Sequence, residues 1–350
     1  MSRIQNLTMN RGEWSEAYAL LALIGNGNFI LSDKSLADQN TSQYKVHSIL
    51  IPTDAPNKFV GLSVQNNSVI ANYDGQNNSI PIGDVKGIAT SLFQQIQTST
   101  TTTFSFNQLD SLWNGFFNPQ IKATRSEKSD IKLEIYDSAT QTKAIKGFSI
   151  KSNLGGATSL LNASQSTNFL YEAPSKISIT DPTPKNLGRL VKSLPLKHLG
   201  SVNQTYKQNL QRVDQNLENL ISHLLVEYYG ASNREKSIKD LLAIVANKNP
   251  FNFSNTSDYQ KIISKFLTAT AFGMVPRDLW NGSLSANGGM IVVKADGKLA
   301  SFYLDDTQSN TNLNDYLFEH SFFDTASTTR HDFGKVFDDK FFKFNLLIRL

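Results

Sequence analysis

Apolar positions change their period several times along this chain, and each change marks an element. Between Gly12 and Gly25, Tyr18, Leu21 and Ile24 recur at helical spacing, and Gly25 is placed to end the helix. From Phe29 to Asn78 the period falls to two. VHSILIP, FVGLSV and SVIANY read there as strands, parted by clusters of Asn, Asp, Gly and Pro. A helix from about Asp84 to Gln97 is predicted next, followed by the polar tract TSTTTT, expected as a loop.

Residues 130–151 predict a β-hairpin. In DIKLEIYD, Ile131, Leu133 and Ile135 alternate with Lys132, Glu134 and Tyr136; SATQTK is a polar turn, and AIKGFSIK returns. The region 180–275 is expected to be mainly helical. Leu210, Val213, Leu217, Leu220, Leu224 and Tyr228 form one stripe there, whose ordinary role is core packing. Ser257 and Gln260 fit a capping box at the start of a further helix, which Gly273 would end. After Gly282 the strand pattern returns. MIVVKADGKLASFYL carries Asp296-Gly297 between two β-like runs, a hairpin signal. Phe342, Phe344, Leu346, Ile348 and Leu350 alternate strictly and predict one final strand. The order implies an α/β core with a mixed sheet flanked by helices and a helical insert or subdomain. Residues 1–180 would hold the N-terminal strands and core, 181–280 the helical subdomain, and 281–350 the strands that complete the core.

Composition narrows the chemistry. At 39% hydrophobic and 18% charged, the 350 residues can bury a real core. The net charge of +4 and a pI near 9.0 suit a polyanionic partner without requiring one. Cysteine is absent, which excludes disulfides, iron–sulfur clusters, thiolate zinc sites and cysteine nucleophiles. The polar N-terminus lacks the apolar core of a signal peptide, and the longest apolar stretch, near AYALLALIG, is too short to span a bilayer. A soluble cytoplasmic protein with no membrane partner is expected.

One constellation carries chemistry. Asp130 opens the first strand of the 130–151 hairpin. Ser149 and Lys151 lie two apart on the second, hence on one face. A carboxylate on one strand and a lysine on its neighbour can serve hydrolysis of a phosphodiester, because Mg²⁺ takes one or two carboxylates and a lysine can orient the attacking water. Asp137 has the opposite parity and sits by the turn, so Asp130 is preferred as ligand. By itself, an acid and a lysine at this separation is also what an ordinary structural hairpin shows. His47, His198, His223, His320 and His331 include no pair at metal-ligand spacing, so zinc is not expected. No nucleophile elbow, P-loop or dinucleotide fingerprint is present; Gly155-Gly156 reads as a turn or a phosphate contact.

Three blocks together resemble the HpaII family of restriction endonucleases. They are RGEWSEAYALLALIG near the start, GFSIKSNLGGATSLLNASQSTNFLYEA over 147–173, and STTRHDFGKVF with FFKFNLLIRL at the end. The resemblance spans essentially the whole chain. It implies a PD-(D/E)xK nuclease fold, cleavage of double-stranded DNA in a type II restriction-modification system, and a Mg²⁺ cofactor. It carries metal ligation onto Asp130, water activation onto Lys151, and an auxiliary ligand onto Glu16 of the first helix, with Glu13 as a substitute. Two positions depart from the pattern: Ser129 stands where a proline often precedes the aspartate, and Ser149 where an acid is usual. A neutral serine binds Mg²⁺ weakly, so Glu16 would have to compensate.

Base reading needs donors and acceptors at base edges. Ser164, Gln165, Ser166, Thr167 and Asn168 form one polar segment suited to it, and Ser327, Thr328, Thr329, Arg330 and His331 another. The recognition site implied by the family's named member is CCGG. A companion cytosine methyltransferase and a homodimer on DNA complete the expectations. The alternatives are a structure-specific or repair nuclease of the same fold, or a DNA-binding protein without catalysis.

Overall fold

The structure is a computed structural model that describes residues 8–39, 43–52, 58–108, 128–231 and 237–350. The chain forms two compact units that interleave along the sequence. The first is Met1–Thr158 with Ser285–Leu313, and the second is Ser159–Leu284 with Asn314–Leu350. Residues 159–180, expected with the first segment, therefore lie in the second unit.

The first unit is built on an eight-stranded sheet. Along the chain its strands are β2 (Tyr44–Pro52), β3 (Phe59–Gln65), β4 (Ser68–Tyr73), β5 (Gln76–Pro81), β7 (Ile131–Asp137), β8 (Thr142–Ser152), β12 (Gly289–Val293) and β13 (Leu299–Tyr303). Their order across the sheet is β13-β12-β8-β7-β2-β3-β4-β5. β8 and β12 pair in parallel and all other neighbours antiparallel, so the sheet is mixed. β1 (Thr8–Asn10) and β6 (Thr103–Ser105) form a separate two-stranded ribbon. Ile131, Leu133 and Ile135 of β7, with Phe148 and Ile150 of β8, turn one face into the core. Helices α1 (Arg11–Asn26) and α2 (Ile82–Thr98) cover that face through Trp14, Leu20, Ile24, Val85 and Leu92. The α1 N-terminus closes with a capping box: the Asn10 side chain accepts from the Glu13 amide, and the Glu13 carboxylate accepts from the Asn10 amide. The helix runs past the expected stop at Gly25. It ends at Gly27, which adopts φ 70° and donates its amide to Leu23 O at 2.8 Å. The polar edge strand β5, QNNSIP, carries no apolar alternation, which is why periodicity did not reveal it.

The second unit is largely helical, with α3 (Pro184–Val191), α4 (Gln204–Val213), α5 (Leu217–Gly230), α6 (Ile238–Lys248) and α7 (Ser257–Phe272). The single stripe from Leu210 to Tyr228 is two helices. The α4 helix stops at Asp214, which is extended, and the Asp214 carboxylate accepts from the Asn216 amide to restart the chain. At the start of α7 the expected capping box is absent: Thr256 holds the cap position and the Ser257 amide donates to Asn255 Oδ1. Two small sheets also interrupt the region. One has the order β11 (Lys197–Ser201), β10 (Asn168–Glu172), β16 (Phe341–Asn345), β15 (Val336–Phe337), and the other β14 (Phe322–Phe323), β17 (Ile348–Arg349), β9 (Ser159–Leu161). The predicted final strand is thus two strands in two sheets. Helix α8 (Thr307–His320) contains the last boundary between the units. Among the described residues no helix is long and apolar enough to cross a membrane.

Candidate active site

The pairing of β7 with β8 places the expected residues. Ile131 is opposite Phe148, so one step outward Asp130 faces Ser149, with Lys151 two residues further along the same face of β8. The Asp130 amide donates to Phe148 O at 2.8 Å. Its Oδ2 accepts from the Ile150 amide at 2.6 Å and lies 3.4 Å from Ser149 Oγ. Asp137, at the other end of β7, is committed to the turn: it accepts from Gln43 Nε2, the Ala139 amide and Thr140 Oγ1. Ser149 is only 1% exposed and neutral, so it adds no charge beside Asp130.

Glu16 arrives from α1. Ser152 follows Lys151 and donates to Ser15 Oγ at 2.9 Å; Ser15 precedes Glu16 and donates to Arg11 O. This serine contact docks α1 on the end of β8 and brings Glu16 beside Asp130 and Lys151. Burial, and then the Asp130 charge, push the Glu16 carboxyl up to about 8, while Lys151 draws it down. Glu13, the substitute ligand, spends its carboxylate on the helix cap.

Sequence reasoning missed Lys128. Burial, and then Lys151, push this ammonium down to about 8, against the pull of Asp130. Its position two residues before Asp130 was the available signal. Arg11 was also missed: its guanidinium donates to Ser99 O and lies against Gly155, whose φ of +106° favours glycine.

The donor set suits a hard cation. Among the described residues no group of three or more His, Asp or Glu side chains is arranged around a metal position. Mg²⁺ needs only one or two carboxylates, the rest of its shell coming from water and substrate oxygens. Glu16, whose carboxyl burial and the Asp130 charge hold against ionisation, is the group such an ion would relieve.

The other expected residues lie in the second unit, and the structure joins their two segments. Asn168 Nδ2 donates to His331 O at 2.8 Å. Asn345 Nδ2 reaches Ser164 O and Asn168 Oδ1, each at 2.7 Å. Two of the expected base readers are held within the fold. Thr167 is buried, its hydroxyl accepting from the Ser164 amide and donating to Ser164 O, and buried Asn168 uses both ends of its amide within the fold. Gln165, Thr329 and Arg330 are exposed, whereas Ser164, Thr328 and His331 are half-buried.

A family model described as HpaII restriction endonuclease matches residues 10–350. The type II restriction enzyme HpaII of Haemophilus parainfluenzae is 31% identical over 357 residues, covering 97% of this chain and 98% of its own length. No solved structure matches. Likeness over the full length defines a type II restriction endonuclease, a hydrolase that cuts DNA at specific sites. The chain belongs to the HpaII restriction endonuclease family.

Proposed function

We propose that this enzyme cuts double-stranded DNA with Mg²⁺ at Glu16, Asp130 and Lys151, on a fold of the PD-(D/E)xK type. The observation that carries this reading is electrostatic: Glu16, buried on one helix, feels the charges of Asp130, just before β7, and of Lys151, on the neighbouring β8. Asp130 and Glu16 would hold the ion, with Asp130 fixed by its bond from the Ile150 amide. Bound Mg²⁺ would neutralise charge on the scissile phosphate and acidify a coordinated water. Lys151, on the face shared with Ser149, orients the attacking water. Ser149 is a tolerated neutral neighbour, not a ligand.

Sequence reading is assigned to the joined loops, through Gln165, Thr329 and Arg330. Arginine can donate two parallel bonds to guanine O6 and N7, worth about 1–3 kcal/mol of discrimination. A short G·C-rich palindrome such as CCGG suits an arginine reader, and a two-fold site suits a homodimer. A companion cytosine methyltransferase would protect the host, because a methyl group on cytosine projects into the groove that the arginine reads.

The test is digestion of a sequenced, unmethylated plasmid with Mg²⁺, with mapping of the ends, by the wild type and by Lys151→Ala. One short site cut by the wild type and left intact by a variant that still binds it is the expected result. Cutting by Lys151→Ala at the wild-type rate would overturn the assignment.

A further inference from the structure

Two cations, not one, stand beside the carboxylates. Lys128 lies in the segment that leads into β7, and that segment is fixed at both ends. The Lys128 amide donates to Ser285 Oγ at 3.0 Å, and the Asp130 amide to Phe148 O at 2.8 Å. Between them Ser129 is buried. Gly147 on β8 locks the arrangement, because a Cβ there would lie 2.8 Å from both Ser129 Cβ and Ser285 O. The backbone therefore has little freedom to carry Lys128 away from Asp130.

The Lys128 side chain is half-buried, and its ammonium interacts with both Lys151 and Asp130. Among the described residues neither Lys128 nor Lys151 forms an ion pair. A cation withdrawn from water beside a second cation costs free energy unless an anion compensates it. Among the described residues Asp130 is the carboxylate whose charge acts on Lys128, and its Oδ2 accepts from the Ile150 amide. The substrate of a site-specific deoxyribonuclease brings the missing anion, a phosphodiester with two non-bridging oxygens.

We propose that Lys128 is a second active-site lysine, which contacts a non-bridging oxygen of the scissile phosphate while Lys151 serves the attacking water. The proposal rests on the assignment of Asp130 and Lys151 given above. It divides the work by position: Lys151 is held on a regular strand, and Lys128 on the clamped segment that enters the neighbouring one.

The experiment compares two duplexes carrying the mapped site, one unmodified and one with a neutral methylphosphonate at the scissile position. Binding is measured in Ca²⁺ for the wild type, Lys128→Ala and Lys128→Met, the last retaining length and apolar bulk without charge. On the unmodified duplex both variants should bind about tenfold more weakly and lower the salt slope by about one unit. On the methylphosphonate duplex all three proteins should bind alike, and Lys128→Arg should recover part of the loss on the unmodified one. A loss of equal size on both duplexes would overturn the proposal, since a structural defect does not depend on that phosphate. Wild-type binding and cutting by Lys128→Met would overturn it too. Failure of the underlying assignment shows separately, as cutting by Lys151→Ala whatever Lys128 does.

Discussion

At Asp130 and Asp137 the same side chain has opposite uses, and seven residues of strand decide which. Asp130 faces Ser149 and the lysine beyond it, whereas Asp137 faces Thr142 at the turn and accepts three bonds there. Asp130→Asn should abolish cleavage, while Asp137→Asn should leave the rate within a few-fold of wild type; single-turnover assays on the mapped site would check both. Lys151→Ala should lower the rate by roughly 10²–10⁴-fold, the usual worth of a positioned proton-transfer group, with binding retained. Glu16 gives a pH signature. Its carboxyl is raised from 4.5 to about 8, so the fold disfavours the ionised form. The stability this group contributes is complete below 4.5 and is lost as pH rises through about 8. Without divalent metal, the wild-type Tm should therefore fall relative to Glu16→Gln across that window, and added Mg²⁺ should raise the wild type more than the variant. A constant Tm difference in every condition would remove Glu16 from the metal site. Strand parity made Asp130 legible in the sequence, because its signal is local. For Lys128 the sequence offered only its place two residues before Asp130, since its surroundings include Lys151, Ser285 and Gly147, which no periodicity connects.

Elements divide in the same way. Helix α1 and the β7–β8 hairpin were readable because their own residues carry the pattern, Tyr18, Leu21 and Ile24 at helical spacing and Ile131, Leu133 and Ile135 on one face. The C-terminal strand was misread because alternation from Phe342 to Leu350 says nothing of where the chain bends. The bend comes where buried Asn345 reaches the Ser164 and Asn168 oxygens and the Leu346 amide donates to Thr167 O. Asn345→Ala should leave these buried acceptors without a donor and cost about 1–3 kcal/mol, measured by urea unfolding. It should also weaken specific DNA binding more than non-specific binding, because the segments carrying Gln165 and Arg330 lose their shared anchor. Near the Asp130 end of the β7–β8 pair, Gly147→Ala must displace Ser129 or Ser285. The expected outcome is a large fall in kcat with a smaller change in DNA affinity.

For the whole molecule, the decisive fact is that the first unit is discontinuous. Its sheet takes β12 and β13 from residues 289–303 and sets β12 in parallel beside β8, which ends at Ser152. A fragment ending at Thr158 lacks that neighbour and should show no cooperative unfolding by circular dichroism. Joining residues 285–313 to it through a flexible linker should restore the transition. Sequence alone suggested three successive segments, since composition marks changes of element and not which distant strands will pair. The parallel partner of β8 also sets a clock. A ribosome adding about 5–20 residues per second needs roughly 7–27 s to pass from the end of β8 to the start of β12. Throughout that interval the strand bearing Lys151 has an open edge, a template for pairing with other nascent chains. The same delay leaves β8 without its parallel neighbour until most of the chain has been made.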